Sequence, residues 1–163
     1  MPNKYPYVQA AFACEKVLEE TDHTFSVIRI VDTYWLSKRQ PNEAIPAEAS
    51  PAIGLTIFLS LKSGDVQGKH SITFQAFSPS ARFLKAHSLE LDFLGGVNGA
   101  TAQLNITLVV EELGLYWCDV LWAADSFLLT RIPLRVLSRE QDGSTSPTPE
   151  GRPTEQSAAP KRK

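Results

Sequence analysis

The chain has 163 residues, 43% of them hydrophobic and 21% charged, with a formal net charge of −2. That length suits one domain with a sizeable core plus a tail, and so small a charge gives no general attraction to nucleic acid or anionic membranes. No apolar run reaches transmembrane length, and the opening Met1-Pro2-Asn3-Lys4-Tyr5-Pro6-Tyr7 lacks the apolar region expected of a secretory signal.

Cys14 and Cys118 are the only cysteines. A domain with a good core does not need a disulfide, so the expectation is two buried thiols acting as small hydrophobes in a reducing, cytoplasmic setting. A bridge between them requires Cα atoms within about 7 Å.

Residues 8–20 alternate, with Val8, Ala10, Phe12 and Cys14 on one parity. They contain good helix formers, but residues 24–36 are crowded with β-branched and aromatic side chains and read as a strand. Thr21-Asp22-His23 is a polar turn, so a hairpin is expected over these two segments. Residues 37–51 hold Pro41, Pro46 and Pro51. Proline lacks the amide hydrogen of a sheet ladder, so this span is a long loop.

Residues 52–62 show the clearest period of two, with Ile53, Leu55, Ile57, Leu59 and Leu61 sharing a face. Residues 63–68 read as a turn by composition. A strand follows over 69–78, with His70, Ile72, Phe74 and Ala76 on one face, then a break at Ser78-Pro79-Ser80. Residues 83–94 form the next, with Phe83, Leu89, Leu91 and Phe93 on one parity. Gly95-Gly96-Val97-Asn98-Gly99 reads as a tight loop whose glycines permit positive φ. Leu104, Ile106, Leu108 and Val110 form the next inward set, and Gly114 punctuates.

The final hairpin lies in residues 99–136, the densest run of large apolar residues. Tyr116, Cys118, Val120 and Trp122 form one inward set, and Leu128, Thr130, Ile132, Leu134 and Val136 the other. Inward residues must pair with inward ones, because a slip of one residue reverses every side chain. A turn centred on Asp125 therefore sets Trp122 opposite Leu128, Val120 opposite Thr130 and Cys118 opposite Ile132. On the outer face it sets Asp119 opposite Arg131, within salt-bridge reach, and Trp117 opposite Pro133. Pro133 cannot donate, so the last strand either lies at an edge or turns that nitrogen away from a neighbour.

From Ser138 no large apolar residue appears, and such a segment cannot offset the entropy of ordering. The expected organisation is a sandwich domain over 1–137 and a disordered tail over 138–163. Seven or eight alternating strands without helical crossovers point to an antiparallel sandwich or barrel; the favoured form is an all-β, antiparallel β-sandwich of immunoglobulin-like architecture. The Cys-to-Trp-to-Cys spacing of antibody domains is missing.

Two stretches carry a resemblance. Ala11-Phe12-Ala13-Cys14-Glu15-Lys16-Val17 with the following Phe25-Ser26-Val27-Ile28-Arg29-Ile30-Val31-Asp32, and Gly114-Leu115-Tyr116-Trp117 through residues 129–136, are similar to the start and close of small bacterial β-sandwich proteins classed as a domain of unknown function. The resemblance spans about residues 8–136 and implies a bacterial source and a non-catalytic sandwich.

No motif for chemistry stands out. His23, His70 and His87 are isolated from one another and from the cysteines, so no metal site is expected. Glu19-Glu20 and Glu111-Glu112 are adjacent pairs at strand ends, where neighbours point to opposite faces, and neither forms an acid/base dyad. The glycines of 95–99 precede a strand and not a helix, unlike a phosphate loop. Pro160-Lys161-Arg162-Lys163 reads as a solubilising end. No cofactor and no enzyme activity are expected.

A binding surface has better support. Leu115, Trp117, Leu121, Phe127 and Leu129 share the outer face of the last hairpin with Asp119, Arg131 and Arg135. That is more apolar surface than a monomer leaves open, and an aromatic flanked by arginines has the composition of an interface hot spot. The candidate interface is Trp117, Asp119, Leu121, Leu129, Arg131 and Arg135. Either the loop 37–51 or the N-terminus covers this face, or a protein partner or second copy binds there or at an edge strand. The second hypothesis is a small-ligand or glycan site built from Tyr34, Trp35 and the loops 37–51 and 95–99.

Overall fold

Alternation, not helical periodicity, dominates the chain, and every regular element of the computed structural model is a strand; the structure describes residues 4–22, 24–36 and 50–139. The strands are β1 (Tyr7–Glu19), β2 (Phe25–Ile30), β3 (Thr33–Leu36), β4 (Ala52–Phe77), β5 (Phe83–Val109), β6 (Gly114–Trp122) and β7 (Phe127–Ser138). β1 and β2 form the expected hairpin. The segment 24–36 is not one strand, however. It breaks at Val31-Asp32, and β3 leaves the hairpin to pair parallel with β7.

The larger departure lies in β4 and β5, which pair antiparallel almost throughout. Residues 63–68 and 95–99 are not turns: both strands run through them. Gly64 and Gly96 face each other across the ladder, with φ of 56° and 62°. A left-handed backbone costs glycine little, so both strands bend together with only local register shifts. A Cβ on Gly64 would sit 2.8 Å from the Tyr7 ring. Glycine-rich composition marks bends and turns alike, and only the facing strand tells them apart.

The bend makes a sandwich from one continuous sheet. The first half of β4 pairs with β1, and the second half with β6. One layer is therefore β2, β1, residues 52–62 and residues 99–109. The other is β3, β7, β6, residues 67–77 and residues 83–94. Between them Ile53, Leu55, Ile57, Leu59 and Leu61 meet Ile72, Phe74, Tyr116, Val120, Trp122, Ile132 and Leu134 in one buried core. Strand switching at a bulge is how sandwiches turn corners.

Bulges also correct two parities. A register shift between Val8 and Ala10 brings Val8, Ala11 and Ala13 to the core, so Val8 does not share a face with Phe12. Phe12 instead stacks 5.3 Å from Phe58 on the outer side, with Phe25 at 5.8 Å from Phe58. A second shift between Ala76 and Phe77 turns Leu84 to the core and leaves Phe83 54% exposed. The extra residue of a bulge reverses the alternation beyond it.

Where the chain enters β6, the Tyr116 hydroxyl donates to Glu112 O at 2.8 Å and accepts from Glu112 N at 3.3 Å. This is a tyrosine corner, placed two residues before Cys118 as in immunoglobulin-type sandwiches before their second cysteine. With the two-layer pairing it establishes an antiparallel β-sandwich of immunoglobulin-like architecture. Ser138, assigned to the tail on composition, instead ends β7, where it pairs with Leu36; the tail from 140 to 163 lies outside the described residues.

Tyr116→Phe removes the corner hydroxyl and leaves the Glu112 backbone groups without that partner. The expected cost is about 1–2 kcal/mol, read as a lower denaturant midpoint at unchanged slope. An unchanged midpoint would mean that the corner is not a stabilising contact.

Candidate functional site

The outer face of the β6–β7 hairpin holds most of the residues expected there. Asp119 pairs with Arg131, Val120 with Thr130, Cys118 with Ile132 and Trp117 with Pro133. Arg131 Nε and Nη2 donate to the two Asp119 carboxylate oxygens at 2.6 and 2.8 Å. Such a two-pronged pair is among the stronger ionic contacts. Hydrogen bonding to Asp119, then its charge, raises the Arg131 pKa. The same guanidinium lies 5.3 Å from the Trp117 ring centroid, a cation–π distance. Pro133 lies before the stretch of β7 that pairs with β3 from Arg135 on, so its missing donor disturbs no ladder there.

The register slips near the turn. Between Val120 and Leu121 it shifts, so Trp122 pairs with Phe127 and not with Leu128. Leu129 becomes the extra residue and packs against the core, while Leu128, opposite Leu121, is 44% exposed. Trp117, Asp119, Leu121, Arg131 and Arg135 thus remain together on the outer face, and Leu129 leaves it. Trp117 and Leu121 are only half-buried and Asp119 is buried.

The N-terminus covers the turn end of this hairpin. Tyr5 stacks on Phe127 at 3.8 Å with planes 5° apart and meets Trp122 edge-on at 6.4 Å. Its hydroxyl donates to Asp125 Oδ2 at 2.8 Å, and Lys4 Nζ reaches the same oxygen at 2.5 Å. These contacts, Lys4 first and Tyr5 second, hold the Asp125 carboxyl below the usual carboxylate range. The loop 37–49 lies outside the described residues.

Of the residues of the second hypothesis, Trp35 and the glycines of 95–99 are far apart, and most of the loop 37–51 lies outside the described residues. Trp35 is 50% exposed on β3. The second layer runs β3-β7-β6-β4-β5, which puts Trp35 and the glycines of β5 at opposite edges, on the order of 20 Å apart at strand spacing. His70 is partly buried at the margin of the core, its ring 4.6 Å from Trp122 and its Nε2 2.9 Å from Gln67 O. Glu111 pairs with Arg82, and Glu112 accepts from Ser80 Oγ at 2.8 Å. Both cysteines are free. Burial raises the Cys14 thiol pKa, and burial followed by the charge of Asp119 pushes Cys118 up to about 12.

A second surface, not singled out in the sequence, lies along β5. Both halves of β5 pair with β4 on one side only, and the described residues provide no strand on the other. Residues 82–94 carry Arg82, Lys85, His87, Glu90 and Asp92; residues 99–109 carry no charged side chain. Away from the glycine bend the two halves diverge and leave a cleft of about 440 Å³, with Leu104, Ile106 and Leu108 on one lip, Lys85 and His87 on the other, and Phe74, Ala76 and Cys118 at its base. The Arg82–Glu111 ion pair joins the chain just before β5 to the chain just after it. The signal for this cleft was present as Lys85 and His87 on the parity of Leu89 and Leu91, but without the fold it reads as a weak strand end.

No family model matches the chain, and no curated protein matches it. Among solved structures, an immunoglobulin-like protein from Pseudomonas aeruginosa is similar, with a TM-score of 0.39 and 11% identity over 82% of this chain and 97% of that one.

A double-mutant cycle on Asp119→Ala and Arg131→Ala should return effects on stability that are not additive, modest in size because the Arg131 side chain is half-exposed. Additive effects would show that the pair is not energetically coupled. A second expectation concerns acid. Because the folded Asp125 pKa is lowered, its contribution is present above the unfolded value, about 3.9, and is lost as pH falls through the folded one. Tyr5 should therefore leave Phe127 only in acid below that value, seen as loss of ring-current shifts in NMR. Asp125→Asn should abolish that acid transition.

Proposed function

We propose that this protein is a non-catalytic β-sandwich interaction module that associates through the edge of residues 99–109, beside which the described residues place no strand, with a second copy as partner and the cytoplasm as its setting. The observation that supports this is the difference between the two halves of one edge strand. Unpaired edges invite further strands, and natural proteins guard them with charges and bulges. Residues 83–94 have both, in Lys85, Glu90, Asp92 and the bulge at Leu84. Residues 99–109 have neither.

Self-pairing fits that edge. Antiparallel association about a two-fold axis sets each residue opposite another of the same strand. Thr101, Gln103, Asn105, Thr107 and Val109 then meet only neutral groups, whereas self-pairing of residues 83–94 would bring Glu90 and Asp92 together. The outer hairpin face is the less favoured surface, because Asp119, Arg131 and Trp117 already satisfy one another.

The full chain should sediment as a monomer–dimer mixture with a dissociation constant of about 10–100 µM, as suits a small interface. Gln103→Lys with Thr107→Lys sets like charges across the two-fold and should give a monomer with an unchanged melting temperature. A wild-type monomer at about 1 mM, or a dimer that persists in the variant, would overturn the proposal.

A further inference from the structure

Beyond self-association, the cleft between the two halves of β5 has a polarity that a sandwich interior normally lacks. Pairing sets Lys85 opposite Ala76 and His87 opposite Phe74. Ala76 and Phe74 belong to the face that builds the core of their layer, so Lys85 and His87 stand on the inward parity of β5. A lysine on that parity is out of place among Ile72, Phe74, Leu89 and Leu91. The inward residues of the facing lip are aliphatic, Leu104, Ile106 and Leu108 standing opposite Ile57, Leu55 and Ile53, with Asn105 and Thr107 between them at the rim. Leu84, Leu104 and Ile106 are only partly buried, so the cleft keeps apolar surface open beside a cation.

We propose that this cleft binds an amphipathic carboxylate, its single aliphatic chain lying against Leu104, Ile106 and Leu108 and its anionic head meeting Lys85. The volume, about 440 Å³, falls in the range of roughly 300–1,000 Å³ typical of small-molecule sites. The charges favour an anion over a cation or a neutral chain. Glu111, the acidic residue that lines the cleft, is engaged by Arg82, and Lys85 has no ion-pair partner among the described residues. Cys118 at the base carries a thiol pushed up to about 12 by burial and by Asp119, so it presents no thiolate to repel the head. Holding a hydrated carboxylate at the mouth, where Lys85 is exposed, avoids the cost of burying an ion.

An inward lysine also serves to guard an edge strand against pairing, and the two roles separate experimentally. The full-length protein is titrated with sodium dodecanoate below its micelle threshold, by calorimetry and by NMR of methyl-labelled Leu and Ile. The expected result is saturable binding of one molecule per chain, with shifts at Leu104 and Ile106. Lys85→Glu should weaken dodecanoate about tenfold at an unchanged melting temperature, and dodecyltrimethylammonium should bind the wild type at least as weakly as that variant binds dodecanoate. Ile106→Trp, which fills the cleft, should abolish binding; should it fail to fold, Lys85→Glu alone decides. The proposal is overturned by absence of saturable binding up to about 1 mM, by equal affinity in Lys85→Glu, or by equal binding of the cationic probe. Altered sedimentation of Lys85→Glu with unaltered dodecanoate binding would assign Lys85 to edge protection and overturn it too.

Discussion

The structure depends on one bend. β4 and β5 are paired through it, and the facing glycines Gly64 and Gly96 allow both to turn without giving up the ladder. A residue with a Cβ would be strained in that left-handed backbone, which glycine adopts freely. Together the two strands pass from one layer to the other, and the hydrogen bonds of a single hairpin organise both. Buried Val66 and Phe93 close beside the bend, so the corner is packed as well as paired.

What that bend closes at one end, it leaves apart at the other. The layers are joined at the glycines, and the tyrosine corner of Tyr116 with the Arg82–Glu111 pair secures the far end. Between them the two halves of β5 give an edge with no further strand among the described residues, and the cleft beneath it. Edge and cleft are thus consequences of the same topology. The edge presents backbone groups and the cleft presents side chains of the inner face, which is why the proposed self-association surface and the proposed ligand site can share one strand.

The opposite side is self-contained. The Asp119–Arg131 pair, the guanidinium over Trp117 and the Tyr5 ring on Phe127 turn a face that looks open in one dimension into a set of mutual contacts. With Asp119 buried and Arg131 half-exposed, the pair also orients Arg131 over the indole. Lys4 and Tyr5 reach Asp125 across more than a hundred residues of sequence, a proximity that local pattern could not reveal.

Period-two alternation by itself determined that this is an antiparallel β protein, which residues of 52–62 enter the core, and the central register of the last hairpin, including Asp119 opposite Arg131. These follow from local rules: side chains alternate, and inward faces must meet. Tertiary structure alone decided that residues 63–68 and 95–99 are bends, that Leu84 and Leu129 turn inward and that β3 departs to pair with β7. Bulges and strand partners are settled by the neighbouring strand, and that neighbour is distant in sequence. The cleft belongs to the second kind for the same reason: Lys85 and Ile106 become its two lips only because β4 and β5 bend together.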